Sequence, residues 1–232
     1  MDTIAARLEH IRRRIRRAAE AAGRDPESVR LIAVSKGQPS DAIREAYAAG
    51  QRDFGENYVQ ELCKKAEQLS SLSELRLHML GHLQRNKVKL VVAHASYLQS
   101  LDSAALALEL DKRRSGAPLP VLIEVSIAGE AQKSGVSPAE LPALVETVKG
   151  CSALELRGLM CVPPLSDDPE QSRPHFARLR QLQAELGGSA VLPELSMGMS
   201  ADFEAAIAEG ATMVRVGTAI FGARPPRPER GA

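Results

Sequence analysis

From Leu31 onward, short apolar runs alternate with longer amphipathic segments. The apolar runs have the length of buried strands, and the segments between them repeat apolar residues every three or four positions, as helices do. The pattern predicts strands at 31–35, 52–54, 76–80, 96–100, 120–127, 154–160, 191–195 and 212–216. It predicts helices at 39–49, 57–69, 84–93, 103–114, 137–149, 169–187 and 200–209.

This alternation of strand and helix predicts a parallel sheet with right-handed crossovers. Eight strands favour a closed (β/α)8 barrel, the TIM barrel, over an open doubly wound sheet. No glycine-rich dinucleotide fingerprint follows the first strand, which also counts against the open sheet. We therefore expect an α/β chain folded as a TIM barrel.

The two ends of the chain differ from this pattern. Residues 1–22 are predicted to form an extra N-terminal helix, since their apolar side chains fall on one face: Ile4, Leu8, Ile11 and Ile15. Residues 225–232 are rich in proline and arginine and are expected to be a mobile tail. Residues 1–232 are expected to form a single domain.

Composition removes several classes of function. The 232 residues carry a formal net charge of +1, so no overall field attracts nucleic acid or a membrane surface. The arginine run at 12–17 is either a nucleic-acid-binding stripe or a solvated helix face, and the lack of interleaved aromatic residues favours the solvated face. The three cysteines are widely spaced, and no cluster has metal-ligand spacing. No signal pattern or membrane-length apolar run occurs, so we expect a protein of the reducing cytoplasm.

Lys36 ends the first predicted strand. Because strand side chains alternate, Ile32, Val34 and Lys36 share one face. If that face is the barrel interior, Lys36 lies at the mouth, where partial loss of water lowers the pKa of an amine and makes it a Schiff-base nucleophile. The alternative is an ordinary solvated lysine at the start of a loop.

The loops after the seventh and eighth strands commonly bind phosphate in such barrels. Here they read "SMGMS" (196–200) and "RVGTAIFG" (215–222). Ser200 and Thr218 offer hydroxyl groups, Gly217 allows close approach of the backbone, and Ser200 is also a plausible N-cap of the following helix. Either loop alone is ordinary turn chemistry, but both together predict a phosphate site.

Arg215 shares an inward face with Met213 on the last strand, whereas Val214 and Val216 point outward. An inward arginine here either binds the phosphate directly or meets the ring nitrogen of a pyridine cofactor. Together with Lys36 and the two loops, it suggests pyridoxal 5'-phosphate (PLP) as the ligand.

Seven ordered motifs resemble the pyridoxal phosphate homeostasis protein family, whose members are similar to the barrel domain of the fold-type III alanine racemases. These motifs are "AVSK" (33–36), "FGENYVQE" (54–61), "HMLGHLQRNK" (78–87), "KSG" (133–135), "RGLM" (157–160), "LSMGMSADFEAAI" (195–207) and "VRVGTAIFGAR" (214–224). The resemblance spans about Leu31 to Arg224. It departs from the family at Met79, where an aromatic residue is common, and in a tail without the lysines of some relatives.

The resemblance implies a role for each matched residue. Lys36 matches the Schiff-base lysine and Arg215 the residue facing the pyridine nitrogen. Ser200, Gly217 and Thr218 match phosphate contacts, and Asn57 matches a residue of the cofactor pocket. It also implies a monomeric PLP binder that maintains the vitamin B6 supply without established turnover, with apo forms of PLP-dependent enzymes as the expected recipients.

Two other functions compete with this interpretation. A PLP-dependent amino-acid racemase needs a base on each face of the cofactor, and among the three tyrosines only Tyr58 follows the carboxyl end of a strand. A sugar-phosphate aldolase would also need a lysine and a phosphate loop, but it would be colourless. Lys133 is considered as a secondary PLP acceptor, although a surface lysine is the simpler explanation. His78 is interpreted either as a pocket residue or as a satisfied core histidine.

Overall fold

Eight parallel strands close into a barrel. A computed structural model describes residues 3–128, 134–164, 166 and 168–223. The strands are β1 (Arg30–Val34), β2 (Asp53–Glu56), β3 (Arg76–Met79), β4 (Tyr97–Leu101), β5 (Leu119–Glu124), β6 (Leu154–Met160), β7 (Glu194–Ser196) and β8 (Met213–Val216). Each pairs in parallel with the next, and β8 pairs with β1, with Arg215 opposite Ile32. The predicted (β/α)8 barrel is confirmed.

Helices surround the barrel. They are α1 (Ile4–Ala21), α2 (Ser40–Ala48), α3 (Val59–Gln68), α4 (Val88–His94), α5 (Ala104–Arg113), α6 (Leu141–Lys149), α7 (Arg173–Glu185), α8 (Phe203–Ala208) and α9 (Thr218–Phe221). Short 3-10 turns occur at Pro26–Ser28, Arg85–Lys87, Pro169–Ser172 and Gly188–Ala190. Each of the helices α2 to α8 connects one strand to the next. Because all eight strands are parallel, their carboxyl ends lie together at one end of the barrel, which we call the mouth.

Alternation along the strands separates two apolar cores. The small core inside the barrel contains Ile32, Tyr97, Leu122, Met160 and Met213. The larger core lies between strands and helices and takes the opposite parity, for example Leu31 and Ala33 of β1 and Val214 and Val216 of β8. The structure therefore confirms two predictions: the face of β1 that contains Ile32 points into the barrel, and so does the face of β8 that contains Met213.

Helix α1 is attached to the last part of the barrel. Its buried face consists of Ile4, Leu8, Ile11, Ile15 and Ala19, so the predicted amphipathic helix is present. On its polar side, Arg14 donates two hydrogen bonds of 2.8 Å to Glu204 of α8, and its guanidinium lies 4.6 Å from the Phe203 ring centre. Arg24, just beyond the helix, donates to the carbonyl of Ile207. At least part of the arginine-rich surface therefore fastens α1 to α8.

Strand β7 begins later than the predicted start at residue 191. Gly187 and Gly188 have φ of +105° and +69°, in the region that favours glycine, and they turn the chain before the strand. Pro193 then lacks the N–H group that a ladder needs. For these two reasons pairing starts only at Glu194.

Two expectations lie outside the described residues, namely those for Lys133 and for the tail at 225–232. Among the helices of the described segments, none is long and apolar enough to cross a membrane. Over the same segments, no group of three or more potential ligands could hold a metal ion.

Candidate functional site

Lys36 lies in the turn that follows β1 at the mouth of the barrel. The strand ends at Val34, and Lys36 is half-buried two residues later. Ile32, which shares its parity, is fully buried inside the barrel. The next residue, Gly37, has a φ of +73°, a backbone conformation that residues other than glycine rarely adopt. Strand and turn together therefore place the backbone of Lys36 at the rim.

A buried cluster of charges lies behind this turn, and the sequence did not reveal it. Ser35 Oγ donates to Glu56 Oε1 over 2.6 Å. Lys65 Nζ of α3 donates to the Ser35 carbonyl and to Glu56 Oε1, both over 2.7 Å. Glu61 Oε2 accepts a 2.7 Å bond from the Gly37 N–H and lies 3.4 Å from Lys65 Nζ. We call Glu56, Glu61 and Lys65 the clamp.

Burial and charge act in opposite directions on the two carboxylates of the clamp. Burial raises the pKa of Glu56, and the attraction of Lys65 only partly offsets it. Burial also acts to raise the pKa of Glu61, but the Gly37 N–H and the Lys65 ammonium outweigh it and leave that pKa below its usual value. Glu61 is therefore the more firmly ionised of the two carboxylates.

The two predicted phosphate loops meet each other and the end of β1. The Gly217 N–H donates to Ser200 Oγ over 3.4 Å. A Cβ on Gly217 would lie 3.1 Å from the Val34 carbonyl oxygen, so only a glycine fits easily there. Thr218 follows as the exposed first residue of α9. Ser200 and Gly217 thus lie next to the end of β1, two residues before Lys36.

The predicted N-cap role of Ser200 is wrong. Helix α8 begins at Phe203, and Asp202 occupies the N-cap position. The Asp202 carboxylate accepts a 2.6 Å bond from the Met199 N–H, which closes a turn before the helix starts. The hydroxyl of Ser200 consequently lies in that turn and faces Gly217 instead of the helix.

Arg215 is buried inside the barrel, as its parity predicts. Its Nη1 donates to Ser196 Oγ over 2.7 Å and its Nη2 to the Cys161 carbonyl over 2.9 Å. Burial lowers the pKa of Arg215, but a guanidinium remains charged under any ordinary condition. The Cys161 thiol belongs to the outer core, and burial raises its pKa to about 12.

A chain of hydrogen bonds leads from Arg215 across the barrel interior. Ser196 Oγ donates to Gln99 Oε1 over 2.6 Å, and Gln99 Nε2 lies 3.0 Å from His78 Nδ1. His78 Nε2 lies 3.0 Å from Asp53 Oδ1. At the amino-terminal end of the barrel, the half-exposed Arg76 donates to both oxygens of Asp53 over 2.8 and 2.6 Å.

The protonation states of Asp53 and His78 determine which atoms donate and which accept along these hydrogen bonds. Burial acts to raise the pKa of Asp53, but Arg76 and His78 outweigh it and hold that pKa well below its usual range. Burial lowers the pKa of His78, so the imidazole is neutral. We assign the His78 proton to Nε2, facing Asp53, which leaves Nδ1 to accept from Gln99. His78 is thus a satisfied core histidine, stacked on Tyr97 at 5.0 Å.

Glu124 is a second residue of the mouth that the sequence did not single out. It ends β5 with the inward parity of Leu122 and is buried. Ser134 Oγ donates to its Oε1 over 2.9 Å, while Oε2 has no hydrogen-bond partner among the described residues. Burial raises the pKa of Glu124. The parity argument used for Lys36 applies equally to Glu124 and would have found it.

Asn57 lies directly after β2 and is half-buried. Its backbone is in such close contact with Gly81 that a Cβ at residue 81 would collide with the Asn57 carbonyl. Ser100 Oγ in turn donates to the Gly81 carbonyl over 2.7 Å. The position of Asn57 at the rim is therefore fixed by the neighbouring strand ends, β3 and β4.

Comparison with known proteins defines the class to which this barrel belongs. Residues 6–225 match the family model described as alanine racemase, N-terminal domain. A solved alanine racemase from Corynebacterium glutamicum shares the fold with a TM-score of 0.65 at 20% identity, covering 95% of this chain and 62% of that one. The chain is thus a barrel of the alanine racemase N-terminal type.

Nearer relatives narrow the family. The pyridoxal phosphate homeostasis protein of Pseudomonas aeruginosa is 49% identical over 97% of both chains. PipY of Synechococcus elongatus PCC7942 is 41% identical over 95% of this chain and 100% of that one, with TM-scores of 0.83 without PLP and 0.82 with PLP bound. The chain belongs to the pyridoxal phosphate homeostasis protein family, as its sequence motifs predict.

The salt bridge and hydrogen bond at Asp53 predict a distinct acid dependence of stability. Because the folded-state pKa is depressed, their contribution is complete above the unfolded pKa of about 4 and is lost as pH falls further. Asp53→Asn should lower the free energy of unfolding by about 3 kcal/mol at pH 7. The difference from wild type should stay level down to about pH 5 and shrink below pH 4.

Urea unfolding across this pH range measures the difference, with the exposed Asp41 changed to Asn as the matched control. A deficit in Asp53→Asn that stays constant down to pH 2 would show that Asp53 is not ionised against His78 and Arg76 in the folded protein.

Proposed function

We propose that this chain binds PLP at the mouth of the barrel, with Lys36 as the covalent anchor, and maintains PLP homeostasis as a carrier. The observation that carries the proposal is the junction of three segments. Gly217 packs against Val34, two residues before Lys36, and bonds to Ser200. The residue that carries the amine and the two loops suited to a phosphate therefore lie in one corner of the mouth.

The residues present fit the chemistry of this ligand. The glycine at 217 lets its loop pack against the end of β1, and the Ser200 and Thr218 hydroxyls offer donors to a phosphate. Glu124 Oε2, without a partner among the described residues, offers an acceptor to a donor group in the mouth. When bound, PLP supplies an aldehyde carbon that condenses with a primary amine. Lys36 supplies that amine.

Arg215 would meet the ring nitrogen as a donor only. Ser196 and the Cys161 carbonyl already fix the orientation of its guanidinium. Since arginine does not give up its proton, it would leave the ring nitrogen unprotonated. An unprotonated ring withdraws electrons less strongly and stabilises a carbanion less. Arg215 thus favours holding the cofactor over breaking bonds at a substrate carbon.

The tyrosines support the carrier role over racemisation. Tyr97 is buried, donates to Glu194, and has a strongly raised pKa because of burial. The Tyr47 ring lies under the Arg52 guanidinium at 4.1 Å. Only Tyr58, 51% exposed and next to Asn57, is placed to act as a second base at the mouth. Racemisation by Tyr58 is therefore the second candidate function.

The remaining parts of the proposal concern the setting of the protein. We expect a monomer in the cytoplasm that passes PLP to apo enzymes. The unpaired thiols of Cys63, Cys151 and Cys161 agree with a reducing compartment. In a carrier, an amine at an open mouth makes the covalent attachment reversible, which suits release of the cofactor.

Replacing the anchor should abolish the covalent attachment. Lys36→Ala should fold but lack the visible absorbance of the bound cofactor, and borohydride should fix no PLP on it. The exposed Lys64, changed to Ala, is the matched control and should behave as wild type. If Lys36→Ala keeps the full absorbance, the anchor is another lysine, and Lys133 is the first to replace.

Removing one phosphate contact should weaken binding without removing the anchor. Ser200→Ala deletes one charge-assisted hydrogen bond, which contributes about 1.5–3 kcal/mol, so the Kd for PLP should rise roughly ten- to a hundredfold. Equilibrium titration followed by absorbance measures this. Ser71→Ala, in the exposed loop before β3 at the other end of the barrel, serves as the control. Equal affinity of wild type for pyridoxal and for PLP would contradict the phosphate assignment.

A carrier and a racemase differ in proton exchange at the amino-acid Cα. We expect the loaded protein to reactivate an apo-transaminase while exchanging deuterium into L- and D-alanine no faster than free PLP. Rapid deuterium exchange at Cα that is lost in Tyr58→Phe would contradict the carrier role and favour racemisation as the function. If the apo-transaminase is reactivated no faster than the protein releases free PLP, the proposed storage role stands, but direct delivery of PLP to the enzyme does not.

A further inference from the structure

We propose that the clamp of Glu56, Glu61 and Lys65 positions Lys36 for covalent attachment. The inference deepens the proposed function and rests on it, because it concerns the same lysine. None of the three residues is assigned a contact with the ligand. They act through the backbone on either side of Lys36, so they are positioning residues.

The contacts of the clamp flank Lys36 in sequence. On one side, Ser35 is held at its hydroxyl by Glu56 and at its carbonyl by Lys65, over 2.6 and 2.7 Å. On the other side, the Gly37 N–H is held by Glu61 over 2.7 Å. Lys65 Nζ joins the two sides, since it lies 2.7 Å from Glu56 and 3.4 Å from Glu61. A turn that carries a reactive amine is thereby fixed at both ends.

Burial indicates why charged residues are used here. The Lys65 and Glu56 side chains are 6% and 0% exposed. A buried ion pair is a poor source of stability, because removing two charges from water offsets their attraction, and apolar replacements are often as stable. What an ion pair adds is direction, since each bond fixes a donor and an acceptor in space. In this cluster the directional bonds fix the positions of Ser35 and Gly37, on either side of Lys36.

Displacement of the turn would matter because the reaction is short-ranged. An amine must approach the carbonyl carbon within about 3–3.5 Å, and a shift of 1 Å in a reacting group reduces rates by up to about a hundredfold. Gly37 adopts the left-handed region, with φ of +73°, without strain, but a glycine also has access to many other backbone conformations. A hydrogen bond at this residue therefore helps to select the observed turn. The clamp supplies the bond at that residue.

Glu61→Ala is the most selective test. Glu61 is one-third exposed, so the variant removes the acceptor of the Gly37 N–H and leaves the buried Lys65–Glu56 pair in place. Glu67→Ala, exposed on the same helix, is the matched control. Glu61→Gln keeps an acceptor oxygen and should behave close to wild type. Ser35→Ala tests the other end of the turn by removing the bond to Glu56.

Three measurements are made on the full chain. Amide hydrogen exchange reports on Gly37, stopped-flow absorbance with PLP gives the rate of attachment, and urea unfolding gives the midpoint. In Glu61→Ala we expect exchange at Gly37 to be about tenfold faster and PLP attachment to be about tenfold slower. The unfolding midpoint should fall only slightly, because Glu61 is partly exposed and the buried Lys65–Glu56 pair remains. Ser35→Ala should also slow attachment, and Glu67→Ala should alter none of the three.

The outcomes separate this inference from the proposed function. Attachment at the wild-type rate in both Glu61→Ala and Ser35→Ala would overturn the clamp while leaving Lys36 as the anchor. Unchanged exchange at Gly37 in Glu61→Ala would overturn it as well, because the bond would not order the turn. A wild-type protein that attaches no PLP at Lys36 would overturn the proposed function, and the clamp with it.

Discussion

The buried charge of Arg215 is the constraint on which the interior of the barrel depends. A guanidinium inside a barrel must have acceptors, because an unpaired buried charge costs several kcal/mol. Ser196 and the Cys161 carbonyl provide them, and Gln99 and His78 continue the chain to Asp53. The small apolar core is consequently interrupted by a polar path. Residues of β2, β3, β4 and β7, and the residue directly after β6, all contribute to holding one side chain of β8.

Two separate devices thus hold the mouth. The polar path fixes Arg215 from inside the barrel, and the clamp fixes the turn around Lys36 from the helix side. They lie on opposite faces of the strands, so neither shares a residue with the other. The side chain of Arg215 and the residues on either side of Lys36 are therefore held by two sets of hydrogen bonds that have no residue in common.

The sequence predicted those features that depend on alternation within one element. Parity placed Arg215 inside the barrel, because the side-chain period of a strand is fixed. For Lys36 it gives only the inward row of Ile32, since β1 ends at Val34 and Lys36 lies in the turn beyond the strand. The clamp was missed because it connects β2 and α3 to the turn after β1, and the sequence of one element does not show how it is aligned with another. The N-cap assignment of Ser200 failed for a local reason, because the helix begins three residues later than predicted, with Asp202 at the N-cap position. The roles of the six predicted binding residues toward PLP stay predictions.

The placement of the cysteines bears on chemical selectivity. The backbone carbonyl of Cys161 accepts a hydrogen bond from Arg215. Its side chain, however, lies in the outer core, where burial raises the pKa of the thiol to about 12. Burial likewise raises the pKa of Cys63 and of Cys151. Thiolates add readily to aldehydes, so a protein that stores an aldehyde gains from keeping its sulfur protonated. An aldehyde bound as proposed would therefore meet amines near neutral pH but no activated sulfur.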